Sequence, residues 1–183
     1  MAGFLFGLLA ALITGVGARD QALIAGLSER QGARPAVLLI GLVCAVLSSA
    51  AAGWAGQISA PLLVPAARTW LVAMATGLAA LEMLFLRPAR KPAEPTNSLG
   101  AFAAVLLAQQ LTDAARLLIF ALAAASSVPP LAALGGGIGS AVTLITGWGA
   151  GAALGAWRLG RARRWLGGAL LLVTIWLTLG LMT

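Results

Sequence analysis

The chain has 183 residues, of which 61% are hydrophobic and only 9% charged, with a mean hydropathy of +0.98. Ordinary soluble domains carry about 25% charged residues, so this is the composition of an integral membrane protein. The net charge of +7 does not point to nucleic acid, because the basic residues sit in short breaks between apolar runs, without aromatic interleaving and without a basic domain to hold a phosphate backbone.

Six apolar runs of about 20 residues, the length needed to cross a hydrocarbon core of about 30 Å, follow one another along the chain. They cover residues 3–27, 35–54, 67–86, 99–125, 131–157 and 165–182. The first has no Lys or Arg ahead of its apolar stretch and continues well past Ile13, which predicts a spanning helix rather than a cleaved signal peptide. Cys44 lies inside the second run and is the sole cysteine, so it forms no intrachain disulfide and reads as a small core residue. Glu82 lies near the end of the third, where its side chain is expected to snorkel towards Arg87. The chain has no histidine, which argues against haem, Cys/His zinc sites and Ser-His-Asp catalysis. Neither an enzyme nor a cofactor is expected.

Between the third and fourth runs, Pro88, Pro92 and Pro95 with their neighbouring charges form the one true linker. The expected organisation is a membrane unit over residues 1–87, a linker over 88–98 and a second membrane unit over 99–183. Internal spacing supports a duplication. Arg68 and Arg163 are 95 residues apart, as are Trp70 and Trp165, while Gly53-Trp54 and Gly147-Trp148 are 94 apart. Each half is then the same three-helix unit. Three is odd, so the second copy enters from the opposite side, which predicts two inverted three-helix repeats, an arrangement common among secondary transporters. The middle helix of each half carries small residues at every fourth position, Gly41, Ala45, Ser49, Gly53 and Gly135, Gly139, Thr143, Gly147, Gly151, Gly155, which predicts close helix packing.

The breaks after runs one, three and five hold nine basic residues, Arg30, Arg34, Arg87, Arg90, Lys91, Arg158, Arg161, Arg163 and Arg164, while the opposite side holds only Arg68. The positive-inside rule therefore places those three breaks in the cytoplasm and both termini in the periplasm. Trp54, Trp70, Trp157 and Trp165 fall where interfacial anchors belong. Eleven of the twelve basic residues are Arg, which with the Ala and Gly excess fits a GC-rich bacterial gene and hence the inner membrane.

Two polar stretches interrupt the apolar runs: GVGARDQ, Gly15 to Gln21, and QQLTDAAR, Gln109 to Arg116. A charge near the centre of a spanning helix costs roughly 2.5 to 3.5 kcal/mol on insertion scales, so such groups face a protein interior, a partner charge or a water-filled cavity. On a continuous helix Gln109, Asp113 and Arg116 share a face, with Gln110 nearby. The candidate ion or proton pathway is therefore Asp113, Gln110, Thr112, Asp20 and Gln21, with Arg19 and Arg116 as charge-pairing residues. Arg19 is expected to reach Asp113 across the repeat interface, Arg116 being the competing partner.

On these stretches the chain resembles the transmembrane-protein-165 / GDT family of cation/proton exchangers, formerly uncharacterised protein family 0016. That family carries Glu-x-Gly-Asp-Lys/Arg-Thr/Ser once per repeat, usually followed by Gln. The first copy falls on Gly15, Val16, Gly17, Ala18, Arg19, Asp20 and Gln21, keeping the glycine, the basic residue and the Gln. The second falls on Gln110 to Arg116 and keeps the Asp at Asp113. Three of the four motif carboxylates are replaced. The resemblance implies exchange of Mn²⁺ or Ca²⁺ for protons, with Asp113 titrating and Gln110, Thr112 and Asp20 as candidate ligands. Two other readings stand beside it: a non-transporting membrane partner or assembly subunit in which these charges only hold the halves together, and a LysE-type exporter of small organic solutes, where Arg19 and Arg116 attract a carboxylate.

Overall fold

Val16 and Ala18 adopt extended backbone angles around Gly17, whose φ of +66° lies in the left-handed region that favours glycine. The first apolar run is therefore broken, into α1 (Ala2–Gly15) and α2 (Arg19–Gln31), whose axes differ by 59°. The fourth run breaks in the same way. Thr112 leaves helical geometry, Asp113 is extended at the N-cap where Asp is favoured, and α5 (Leu99–Leu111) meets α6 (Ala114–Ala125) at 55°. At 1.5 Å per residue, pieces of this length reach only about 20 Å and cannot cross a bilayer singly.

The structure, a computed structural model, describes residues 1–86, 98–156 and 159–182, and every regular element among them is helical. The linker charges from Arg87 to Lys91 and the positions of Trp157 and Arg158 lie outside the described residues. Between and after the bent pairs run the long helices α3 (Pro35–Ser59), α4 (Pro65–Phe85), α7 (Pro129–Ala150) and α8 (Leu159–Met182), with 3-10 turns at Ala60–Leu62 and Gly151–Ala156. Proline at the first turn starts α3, α4 and α7, where its missing N–H costs nothing. Four described stretches are long and apolar enough to cross a membrane, Pro35–Leu62, Pro65–Phe85, Pro129–Leu154 and Leu159–Leu181, or six if each bent pair is one span. The order short helix, short helix, long helix, 3-10 turn, long helix occurs twice.

The two halves interlock. α1 lies chiefly along α7, α6 along α3, α3 against α7 and α4 against α8. The small-residue ridges lie at these contacts. A Cβ on Gly139 would sit 2.7 Å from the Leu8 carbonyl oxygen, and one on Gly147 would sit 2.9 Å from that of Gln21. Gly53 meets Ala133 of α7, and the second ridge stops short of its expected length because the helix ends at Ala150 and Gly151 turns to a φ of +47°. One buried cluster joins Ile24, Val37, Cys44, Phe102, Leu106 and Leu144 across both halves, and a second joins Ala75, Ala79, Leu118 and Ala121. The large apolar side chains left outside, such as Leu39, Val46, Trp54, Met74 and Trp176, coat the long helices as expected of surfaces that face lipid.

Candidate functional site at the two helix breaks

The breaks bring the two polar stretches together. Asp20, in the first turn of α2, accepts a hydrogen bond at Oδ1 from the backbone N–H of Gln21 (2.8 Å) and at Oδ2 from Gln110 Nε2 (3.4 Å). Gln110, only 1% exposed, accepts at Oε1 from Ser48 Oγ of α3 (3.0 Å). The same hydroxyl accepts from Arg116 Nε (2.9 Å), and Arg116 Nη1 donates to Ser140 Oγ of α7 (3.0 Å). A continuous polar chain thus runs Asp20, Gln110, Ser48, Arg116, Ser140 through α2, α5, α3, α6 and α7. Such groups are costly in lipid, and each link satisfies what burial would otherwise orphan.

Arg116 is 3% exposed and held by hydroxyls, with Nη2 buried and without a partner. This removes the competing pairing. Arg116 makes no ion pair with Asp113, because Asp113 is the extended N-cap of α6 rather than a helical residue one turn before it. The expected pairing of Arg19 with Asp113 is absent as well. Arg19 and Asp113 border the same cavity, yet no ion pair joins them. Arg19 is exposed, and Asp113 caps the start of α6 without a side-chain hydrogen bond to it.

That cavity, about 140 Å³, is bordered by Arg19, Asp20, Glu82, Gln110, Thr112 and Asp113. Gln109 also borders it and has its Oε1 buried without a partner. Thr112 turns its hydroxyl to the Ala108 and Gln109 carbonyls. Gln21 does not border the cavity. Its side chain instead holds the first break shut, accepting from Gly17 N–H (2.8 Å) and donating to the Thr143 carbonyl and Thr146 Oγ1 (3.2 Å each).

Glu82 was expected to reach towards Arg87, but its carboxylate pairs with Arg163 of α8 at 2.9 Å, and its other oxygen accepts from Ala114 N–H at 3.4 Å. Arg163 also donates to the Val16 carbonyl (3.2 Å), one of the groups freed where α1 ends. The pair therefore ties the first break to the second. Sequence reasoning missed both residues. An acid inside LAALEMLFL and the repeat match of Arg163 to Arg68 were the available signals; Arg68 instead caps the Leu63 and Ala60 carbonyls at the end of α3.

Among the described residues no three His, Cys, Asp or Glu side chains are close enough to hold one metal ion. Asp20, Glu82 and Asp113 border a common space without converging on a point. No known family model matches the chain, and comparison with curated proteins and with solved structures finds no similar one.

Proposed function

We propose that the protein is a secondary transporter of the inner membrane that exchanges its cargo against protons through the cavity at the two helix breaks. One observation carries the reading: a break from each half of the chain opens onto one polar, partly open cavity of an otherwise apolar bundle. Broken spanning helices meeting at a repeat interface are the usual way a transporter offers backbone dipoles and polar side chains to a cargo in the membrane. Asp113, with no hydrogen bond to the helix it caps, is the carboxylate available to carry a proton, while Asp20 is committed to Gln21 and Gln110. The two halves are read as inverted repeats, with the basic breaks cytoplasmic and the termini periplasmic.

Mn²⁺ or Ca²⁺ is the cargo implied by the motif resemblance, with Asp113, Asp20, Gln110 and Thr112 as oxygen donors. Arg19 favours a second cargo, a small organic solute with an anionic group, because a guanidinium in the cavity opposes a dication. The non-transporting reading draws on the Glu82–Arg163 tie, which a purely structural role would also explain. Flux in proteoliposomes decides. Proton movement driven by a gradient of Mn²⁺, Ca²⁺ or solute supports transport, and tight vesicles with folded protein and no flux of any of these would refute it.

A further inference from the structure

The formal charges around the cavity cancel. Arg19, Asp20, Glu82 and Asp113 border it, Arg163 sits on Glu82, and Arg116 is tied to Asp20 through Ser48 and Gln110. Three guanidiniums thus face three carboxylates. In a low-dielectric site a dication would add two charges that nothing there offsets, whereas a cargo with no net charge adds none. Of these groups, Glu82 and Asp20 are already engaged, and Arg116 is buried behind the cavity. Arg19 and Asp113 remain, one cation and one anion bordering the same space without touching each other. The first turn of α2, where Arg19 stands, contributes the positive end of a 13-residue helix.

We infer that the cavity binds a small zwitterion of the α-amino acid type, with its carboxylate on Arg19 at the start of α2 and its ammonium on Asp113. The inference rests on the transporter reading and names its cargo. A volume of about 140 Å³ is close to that of a cavity known to admit a benzene-sized molecule. That is the scale of glycine, alanine or serine rather than of a large amino acid. The ligand completes what the fold leaves open: each of its charged ends meets one unpaired group of opposite sign, and the net charge of the site is unchanged. Proton exchange fits the same geometry, since protonating Asp113 removes the partner of the ammonium.

Binding is measured on the full chain in detergent micelles by thermal unfolding. The panel is glycine, alanine and serine, with methylamine and acetate as single-ended probes and MnCl₂ and CaCl₂ as cation probes. The small amino acids should raise Tm saturably, by roughly 2–4 °C for each kcal/mol of binding linkage. Methylamine and acetate should each be at least about tenfold weaker, because a single-ended ion unbalances the site. Arg19→Gln and Asp113→Asn should each weaken amino acid binding by about tenfold or more, at unchanged elution volume on gel filtration. Should either variant fail to fold, the ligand panel on the unaltered protein still decides. Saturable stabilisation by Mn²⁺ or Ca²⁺ with none by the amino acids would overturn the inference, as would methylamine binding as tightly as glycine. Binding in micelles does not require transport. Amino acid binding without flux would refute the transporter reading alone, and cation flux without amino acid binding would refute this inference alone.

Discussion

Glu82 and Arg163, 81 residues apart in sequence, meet at 2.9 Å between α4 and α8, and the pair holds both helix breaks at once. Glu82 reaches Ala114 N–H at the head of α6, while Arg163 reaches the Val16 carbonyl at the foot of α1. Two groups freed by two separate breaks are thus satisfied by one ion pair.

Removing either partner leaves a charge and a freed backbone group short. Arg163 is nearly buried and Glu82 partly open, so Arg163→Gln or Glu82→Gln should each cost roughly 3 kcal/mol or somewhat less. The double substitution should recover part of this, by removing both charges together. Folded yield and thermal unfolding of the four proteins check it, and strictly additive losses would contradict the pairing.

Arg19 and Asp113 should behave in the opposite way. Because no ion pair joins them, Arg19→Gln and Asp113→Asn should each leave folded yield near wild type, and their effects on stability should simply add. Asp113→Asn should nevertheless abolish flux in proteoliposomes, with no rescue by Arg19→Gln. Recovery of stability in the double variant would reinstate a direct pair.

Ser48 accepts from Arg116 and donates to Gln110, so Ser48→Ala deprives two buried groups of a partner. A loss of about 1–3 kcal/mol is expected, most of it from the stranded groups rather than from the hydroxyl itself. Ser48→Thr, which keeps the hydroxyl, should retain more of the stability. Denaturation midpoints of the two variants provide the comparison.

Gly139→Leu and Gly147→Leu should sharply lower the yield of folded protein, since the first Cβ already meets the backbone of α1 and the second that of α2 at Gln21. Trp176→Leu should be tolerated, because Trp176 is 73% exposed on α8. Yield after gel filtration in detergent measures all three. Equal tolerance would contradict the role of the ridges.

The expected topology rests on the nine basic residues counted in the breaks after runs one, three and five against one on the other side, although Arg163 is drawn into the bundle by Glu82. Reporter fusions after Pro95 and near Arg161 should read cytoplasmic, and a fusion at Thr183 periplasmic. A cytoplasmic C-terminus would remove the inverted-repeat reading.

Properties set by local composition and spacing could be read from the sequence. Apolar runs of spanning length announce a helical membrane protein, because bilayer thickness and helical rise fix how many residues a crossing needs. Small residues at every fourth position identified the packing ridges, since only such side chains let helix backbones approach. The two polar stretches were likewise visible as the costly places, and Asp20, Gln110, Thr112 and Asp113 do border one cavity. Tertiary structure alone decided how each charge is met. A continuous helix was expected through the second polar stretch, but the break at Thr112 leaves Asp113 extended at a helix start while Arg116, in the first turn of α6, reaches Ser48 and Ser140. Glu82 found Arg163 rather than a neighbour in sequence, because α4 and α8 pack against each other. Partner choice among buried charges depends on which helices touch and how each is rotated, and no local pattern encodes that.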